Sequence, residues 1–296
     1  MVMQPSVILC ALVLWASTGL AGPLTLDQVK LAASELEKLT ENEIRATGIP
    51  GIAIAVVYKD QIVFAKGFGV REVGKESPVD ADTVFQLASV SKPIGSTVVA
   101  ALVGEGLLSW DSRISDLDSG FQMHDAWVTR EITVRDFYCH RSGLPDHAGD
   151  LLEDLGFTRE EILRRLRYQS PETSFRSGYA YTNFGLTEAA VAAAKAVAKE
   201  WEDVSEEKLY KPLGMTSTSS RHQDFVERKN RALGHVKING QWVQKYQRDP
   251  DTQSPAGGVS SSVNDLAKWM RLQLANGKFE GKEIVKEDAL AETHHR

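Results

Sequence analysis

The sequence predicts a mixed α/β fold of the α+β type, in which a small antiparallel sheet is flanked by many helices. Residues 52–58 and 62–65 are two runs rich in β-branched residues around a short polar turn, which is typical of a β-hairpin. Helical patterns precede and follow this hairpin, and the longest lie over 89–108 and 186–201. A hairpin alone cannot bury both faces or pair both edges, so we expect further strands to complete the sheet.

The first predicted helix precedes the hairpin. Thr25 and Gln28 have the spacing of a capping box, and the helix is expected to continue to about Ala46. Gly48 and Pro50 then end it. The helix over 89–108 follows the hairpin as a long apolar run, which predicts a buried position. The other predicted elements are helices over 133–140, 158–167, 186–201 and 262–276, with a loop over 255–260.

Composition limits the classes of function. The chain has 296 residues, of which 42% are hydrophobic and 25% are charged, and this suits one large globular domain, here assigned to residues 22–296. The formal net charge is −6 without a basic cluster, which argues against a nucleic-acid partner. Of the two cysteines, Cys10 lies in the N-terminal apolar run, so no internal disulfide is expected and Cys139 is interpreted as a packed thiol.

The N-terminal segment predicts export. An apolar run over Val7–Ala16 is followed by small residues up to Gly22, which is the pattern of a signal peptide over residues 1–21. The run is too short to cross a membrane as a helix of the mature protein. The six residues before it contain no Lys or Arg, which is unusual for a signal peptide. The alternative is an uncleaved N-terminal segment that anchors the protein to a membrane.

Ser89 and Lys92 form an S-x-x-K pair at the start of the apolar helix. Three residues are nearly one helical turn, so both side chains face the same way. A serine hydroxyl becomes a good nucleophile when a base takes its proton, and a neutral lysine one turn away can be that base. The pattern is short and occurs again at Ser205 and Lys208, where a charged sequence indicates a solvated helix face. The first copy therefore needs support from a second motif.

Tyr181 and Asn183 supply that second motif. In Tyr-x-Asn a phenol and a carboxamide lie on the same side of an extended turn, just before the alanine-rich helix. Positive charge near a phenol favours the phenolate, which makes Tyr181 a candidate general base or proton relay. The structural alternative is a packed aromatic ring with Asn183 making a local turn contact.

Taken together, the motifs resemble the serine β-lactamase and penicillin-binding-protein superfamily. The closer likeness is to the class C β-lactamase-like group, which includes D-aminopeptidases, DD-carboxypeptidases and esterases, and it covers roughly residues 25–290. The resemblance implies a β-lactamase/transpeptidase-like fold, with a helical subdomain beside an antiparallel sheet flanked by helices. The segments that carry it, in the family's order, are 51–56, 85–92, 132–136, 140–145, 181–185, 211–215 and 255–259.

The resemblance implies a role for each motif residue. Ser89 would attack a carbonyl and form an acyl-enzyme, and Lys92 would accept or relay its proton. Tyr181 would deprotonate Ser89 or water and protonate the leaving group, while Asn183 would bind substrate or position Lys92. The Ser89 amide would form half of an oxyanion hole. No metal or other cofactor is implied, and the expected substrate is a small molecule or peptide. His140 and His147 are assigned no catalytic role.

One departure from the family qualifies this interpretation. The family carries a third motif, a K-T-G, H-x-G or W-x-G triplet on a strand near the C-terminus, and no such triplet follows residue 260. We therefore expect the C-terminal strands of the sheet to be missing from this chain, and the open sheet to favour self-association. Two hypotheses follow: an exported serine hydrolase acting on an ester, β-lactam or D-amino-acid peptide, or a weakly active or inactive binding or scaffold protein or fragment on the same fold.

Overall fold

A computed structural model describes residues 23–245 and 247–295. The predicted signal peptide over 1–21 lies outside the described residues. Within the described part of the chain, no helix is both long and apolar enough to cross a membrane.

The N-terminal helix and the hairpin form as the sequence predicts. Helix α1 spans Leu26–Thr47, begins with the capping box at Thr25 and ends at Gly48, whose φ of +68° favours glycine. Strands β1 (Gly51–Tyr58) and β2 (Gln61–Gly69) pair antiparallel around a two-residue turn. Local capping and β-branched residues therefore suffice to define this part of the fold.

The rest of the described chain is mainly short helices with small two-stranded sheets. Its helices are α2 (Ser91–Gly104), α3 (Ile114–Leu117), α4 (Ala126–Glu131), α5 (Val134–Tyr138), α6 (Asp150–Asp154), α7 (Arg159–Arg165), α8 (Asn183–Lys195), α9 (Trp201–Ser205), α10 (His222–Glu227), α11 (Ser254–Gly257), α12 (Val263–Leu274) and α13 (Glu287–Ala291). Its strands are β3 (Phe85–Gln86), β4 (His235–Ile238), β5 (Gln241–Gln244), β6 (Ser260–Ser261), β7 (Lys278–Phe279) and β8 (Lys282–Glu283). Strand β3 pairs with β6, β4 with β5, and β7 with β8, all antiparallel.

The hydrophobic core surrounds α2 and α8. These two helices pack against each other, and both contact α11, while α5 packs on α8. Helix α2 is buried on almost every side, and its second half, from Val98 to Gly104, is apolar throughout. Helix α8 is rich in buried alanines, and small side chains let neighbouring helices approach closely. The core thus places the N-terminal ends of α2 and α8 beside each other.

The hairpin is held by α1 and α12, which both pack against it. Arg271 of α12 donates to Asp60 in the hairpin turn at 2.7 Å, and Lys66 of β2 pairs with Glu37 of α1. Strand β1 pairs with β2, and no other strand among residues 23–245 and 247–295 pairs with it. The expectation that further strands complete this sheet stays a prediction.

Four local predictions need correction. The predicted helix over 89–108 begins as a 3₁₀ turn over Ala88–Val90, and its α-helical part ends at Gly104, because the chain turns at Gly106, whose φ is +76°. The alanine-rich helix begins at Asn183 and ends at Lys195, because the chain turns at Ala198, whose φ is +54°. The predicted loop over 255–260 contains the short helix α11 and strand β6, which other segments stabilise by hydrogen bonds. Cys139 is exposed and not packed, because it follows α5 at its C-terminal end.

Candidate active site

Ser89 lies on a 3₁₀ turn over Ala88–Val90 that leads directly into α2. The residue before it, Ala88, has a φ of +47°. This left-handed conformation costs a residue with a Cβ about 1–2 kcal/mol, so surrounding contacts must impose it. The strained turn brings Ser89 out of the regular helix and towards a small cavity.

Hydrogen bonds from Val259, which lies between α11 and β6, hold this turn in place. The amide of Leu87 donates to Val259 O at 2.9 Å. The buried hydroxyl of Ser91 donates to Ala88 O at 2.6 Å and accepts from the amide of Val259 at 2.9 Å. Strand β3, just before the turn, pairs with β6. The position of Ser89 is therefore set by a segment about 170 residues away in the sequence.

Lys92 occupies the first turn of α2 and points at Ser89. Its ammonium nitrogen lies 3.3 Å from Ser89 Oγ, 2.7 Å from Asn183 Oδ1 and 3.0 Å from Ala256 O. The side chain is only 9% exposed. The two carbonyl oxygens are hydrogen-bond acceptors, so each takes one N–H bond of the Lys92 amine. The third tetrahedral position on the nitrogen then faces Ser89.

Tyr181 reaches Ser89 from the other side. Its hydroxyl donates to Ser89 Oγ at 2.7 Å, and its ring lies 4.5 Å from Lys92 Nζ. The Tyr181 amide donates to Asp146 Oδ1 at 2.5 Å, and its carbonyl accepts from the His147 amide at 2.7 Å. These backbone contacts fix the extended segment before α8. All four residues predicted from the two motifs thus lie in one cluster.

The environment of Lys92 makes its neutral form easier to reach than in a solvated lysine. Burial lowers the pKa of Lys92 below its ordinary value, while the Tyr181 phenol and the Asp150 carboxylate partly oppose this effect. In the neutral amine the third tetrahedral position on Lys92 Nζ holds the lone pair, which faces the Ser89 hydroxyl. Ser89 Oγ then accepts from Tyr181 and donates to Lys92, so each polar atom has a partner of the right kind.

His140 lies beneath Tyr181 and is not positioned as a base for Ser89. Burial, with a smaller contribution from the Lys92 charge, lowers the pKa of His140 to about 4. Its Nδ1 accepts from the Thr182 amide at 3.1 Å, and its ring packs against that of Tyr181 at 4.8 Å. His140 is therefore a neutral imidazole that supports the segment carrying Tyr181.

Sequence reasoning missed several groups of this site. Ala256 O binds Lys92 through its backbone, and only the Pro-Ala-Gly-Gly sequence around it hinted at a role. Asp150 accepts from Asn183 Nδ2 at 2.8 Å, and no motif pointed to it. A cavity of about 160 Å³ opens beside Ser89. It is lined by Gln86, Ala88, Ser89, Asn183, Arg248, Pro250, Gln253 and Gly257.

The second S-x-x-K pair forms no comparable site. The Ser205 hydroxyl is buried and donates to Trp201 O at 2.9 Å, which is an ordinary helix contact. Lys208 pairs with Glu105 at 2.8 Å near the surface. For metals, no group of three or more His, Cys, Asp or Glu is placed to hold an ion within the described ranges.

Comparisons with a family model and with curated proteins point to the same family. The Beta-lactamase family model matches residues 36–295. The unguisins hydrolase of Aspergillus campestris is 28% identical over 75% of this chain and 43% of its own length. Beta-lactamase-like protein 4 of Dictyostelium discoideum is 27% identical over 84% of this chain and 47% of its own length. The chain thus spans about half the length of the curated relatives it matches.

A solved structure supports the fold. The octameric penicillin-binding protein homologue from Pyrococcus abyssi superposes with a TM-score of 0.74 and 24% sequence identity. The superposition covers 87% of this chain and 59% of that one. The arrangement of helices and small antiparallel sheets is therefore that of a penicillin-binding-protein homologue, as the sequence motifs predict.

Proposed function

Because the chain belongs to the β-lactamase family, we propose that it is a serine hydrolase that works through an acyl-enzyme on Ser89. The observation that carries the proposal is the position of Ser89 Oγ, 2.7 Å from Tyr181 OH and 3.3 Å from Lys92 Nζ. An ester, a β-lactam or a D-amino-acid peptide supplies the carbonyl. Each reacts by addition to the trigonal carbonyl carbon, which gives a tetrahedral intermediate, and by elimination of the leaving group.

The proposed acylation begins with proton transfer from Ser89 to neutral Lys92. The Ser89 oxygen forms a bond to the carbonyl carbon, and the bond to the leaving group then breaks. Tyr181 hands its proton to the departing oxygen or nitrogen and regains one from the Lys92 ammonium through the shared hydrogen bonds. Water then attacks the ester with the same groups as base, which releases the acid and restores Ser89.

Asn183 and the backbone complete the proposed machinery. The Asn183 carboxamide accepts from Lys92 and lines the cavity, so it positions the base beside the substrate. The Ser89 amide is proposed as one oxyanion donor. One such donor contributes about 2.7–4 kcal/mol to transition-state stabilisation, so loss of a second donor would slow the enzyme about 100- to 1,000-fold.

Covalent labelling tests this proposal directly. The protein is incubated with a fluorophosphonate and, separately, with a fluorescent penicillin, and the labelled peptide is identified by mass spectrometry. We expect label on Ser89, loss of label in Ser89→Ala, and normal labelling in Ser96→Ala, a matched serine on α2 that donates to Pro93 O. Folded protein without label on Ser89 would refute the proposal.

A second candidate is a binding or scaffold protein with weak or no catalysis. The observation in its favour is that the geometry around Ser89 supplies only one proposed oxyanion donor, the Ser89 amide, within the described residues. Turnover of a p-nitrophenyl ester separates the two candidates. Hydrolysis that disappears in Ser89→Ala supports the enzyme, whereas stoichiometric ligand binding without turnover supports the scaffold.

We also propose that the protein is exported, with cleavage near Ala21, because of the apolar run and the small residues that follow it. N-terminal sequencing of protein recovered from outside the cytoplasm tests this assignment. A mature chain that still begins at Met1 and sediments with membranes would favour the anchored alternative. Self-association through the open edge of β1 is proposed as well.

A further inference from the structure

Asp150 lies behind Asn183 and contacts neither Ser89 nor Lys92 directly. Its Oδ2 accepts from Asn183 Nδ2 at 2.8 Å and lies 2.8 Å from His147 Nδ1. We propose that Asp150 is a positioning residue, which orients the Asn183 carboxamide towards Lys92 and, through its negative charge beside this network, shifts the pH at which Ser89 reacts. This inference rests on the proposed serine hydrolase function and names a residue that neither sequence motif contains.

The first part of the argument is the orientation of the carboxamide. An amide side chain is nearly symmetric in shape, so Asn183 could present either oxygen or nitrogen to Lys92. A carboxylate only accepts hydrogen bonds, so Asp150 selects the orientation in which Nδ2 faces it and Oδ1 faces Lys92. The observed contacts of 2.8 Å and 2.7 Å correspond to that orientation. With the amide reversed, two donors would face each other and Lys92 would lose an acceptor.

The second part is the electrostatic effect of the carboxylate. Asp150 is near enough to favour the ammonium form of Lys92, against the stronger effect of burial. Since catalysis by Lys92 needs the neutral amine, the negative charge on Asp150 places the onset of activity at a higher pH than burial alone would give. Removal of this charge therefore moves the onset to lower pH.

The third part is the rigidity of Asp150 itself. It is the first residue of α6, and its side chain is 23% exposed. The preceding Gly149 has a φ of +94°, and a Cβ there would lie 3.0 Å from the rings and methyl groups of Phe184 and Ile162. The backbone is thus seated directly on the core, so the carboxylate is held at a fixed distance from Asn183.

Other titratable and charged groups surround the network of Asp150, Asn183 and Lys92, and the variants described below leave all of them in place. His147 and Asp146 border the Asp150 side, and Tyr181 and His140 border Lys92. A second cavity of about 230 Å³ reaches Lys92 from behind. Its lining includes Arg135, Cys139, His140, Glu292 and His295.

Three variants separate charge from orientation. Asp150→Asn keeps an acceptor for Asn183 but removes the charge, Asp150→Ala removes both, and Asp154→Asn removes an exposed charge from the same helix as a matched control. Two quantities are measured for each variant between pH 5 and 10. The first is the pKa of Lys92, by competitive acetylation with acetic anhydride and mass spectrometry. The second is the rate of fluorophosphonate labelling at Ser89.

We expect Asp150→Asn to lower the pKa of Lys92 and to move the acid limb of the labelling rate to lower pH by roughly half a unit or more. Asp150→Ala should in addition reduce the plateau rate about 10-fold, because the carboxamide is no longer oriented. Asp154→Asn should match the wild type in both measurements. A purely structural role would lower the rate at every pH without moving the limb.

The two measurements keep this inference distinct from the proposed function. An unchanged pKa of Lys92 in Asp150→Asn overturns the inference, whether or not Ser89 is labelled. A lowered pKa of Lys92 without labelling of Ser89 in any variant supports the positioning role and refutes the hydrolase.

Discussion

Ser89 Oγ accepts a hydrogen bond from the Tyr181 hydroxyl and faces the amine of Lys92, which is itself fixed by two carbonyl oxygens. At this scale the proposed chemistry depends on the distances from Ser89 Oγ to Tyr181 and Lys92 and on the protonation state of the Lys92 amine. Burial makes the neutral amine accessible, while the carbonyl groups direct its lone pair. A substitution that changes either feature should affect rate more than stability.

Removal of the Lys92 amine tests this view. We expect Lys92→Met to slow labelling of Ser89 by about 100- to 10,000-fold, the usual range for loss of a general base. Methionine has nearly the same length and no charge, so the fold should survive and circular dichroism should be unchanged. Labelling of Lys92→Met at the wild-type rate would contradict the assignment of Lys92 as the base.

His140 gives a prediction about stability and pH. Burial lowers the pKa of His140 to about 4, whereas in the unfolded chain the residue titrates near its ordinary pKa of 6.5. Between these values the unfolded chain binds a proton that the folded chain does not, so the free energy of unfolding decreases as the pH falls from about 6.5 to about 4. The contribution of this residue reaches about 3 kcal/mol.

His140→Asn isolates that contribution. Asparagine does not titrate, tolerates the φ of +55° at this position and can accept from the Thr182 amide in place of Nδ1. We expect urea unfolding of this variant to vary less between pH 6.5 and 4 than that of the wild type. As a control, replacing the exposed His124 in His124→Asn should leave the pH dependence of the free energy of unfolding as in the wild type. Equal pH dependence in the wild type and both variants would disprove the contribution of His140.

At the scale of elements, the site depends on the contact between the 3₁₀ turn before α2 and the segment around Val259. Ser91 makes this contact with one hydroxyl, which donates to Ala88 O and accepts from the Val259 amide. Helix α6 makes a second contact of this kind, since Glu153 accepts from Thr252 at 2.6 Å and from Arg248 and Gln253. Short elements are thereby held around the cavity by side-chain hydrogen bonds.

Ser91→Ala measures the strength of the first contact. The variant leaves the buried amide of Val259 without an acceptor, which costs about 1–3 kcal/mol in the free energy of unfolding. It also releases the strained Ala88, so labelling of Ser89 should slow. Ser96→Ala on the same helix should change stability by less than about 0.5 kcal/mol. A Ser91→Ala variant with wild-type stability and unchanged labelling of Ser89 would show that the Ser91 hydrogen bonds to Ala88 and Val259 do not position the turn.

At the scale of the molecule, the hairpin pairs with no further strand within the described residues, so both of its outer strand edges lack a strand partner. A groove of about 470 Å³ touches the hairpin at Val57 of β1 and is lined by apolar residues of α12 such as Trp269 and Leu274. An open edge next to an apolar groove is a site for association between chains. This is the physical basis for the proposed self-association.

We expect the wild-type protein to show a concentration-dependent rise in mass by analytical ultracentrifugation. Val57→Lys places a charge in the groove and should shift the protein towards monomer. Leu31→Lys replaces a leucine of α1 that is already 67% exposed and should leave association unchanged. A wild type that remains monomeric at every concentration would contradict the proposal.

Much of the fold is determined locally and could be predicted from the sequence. The capping boxes at Thr25 and Thr158, the hairpin and the apolar helix after Ser89 all follow from neighbouring residues. The S-x-x-K and Tyr-x-Asn spacings likewise identify Ser89, Lys92, Tyr181 and Asn183, because each pair lies within about one turn of backbone. The family resemblance extends this assignment to most of the chain.

The contacts between these motifs were decided only by the tertiary structure. Ser89 and Tyr181 are 92 residues apart, and their hydrogen bond exists because α2 and α8 pack side by side. The carbonyl of Ala256 and the carboxylate of Asp150 reach the site from other segments, and neither has a recognisable pattern. Sequence spacing determines which groups share a turn, whereas packing of distant elements determines which groups meet and whether Lys92 is buried enough to be neutral.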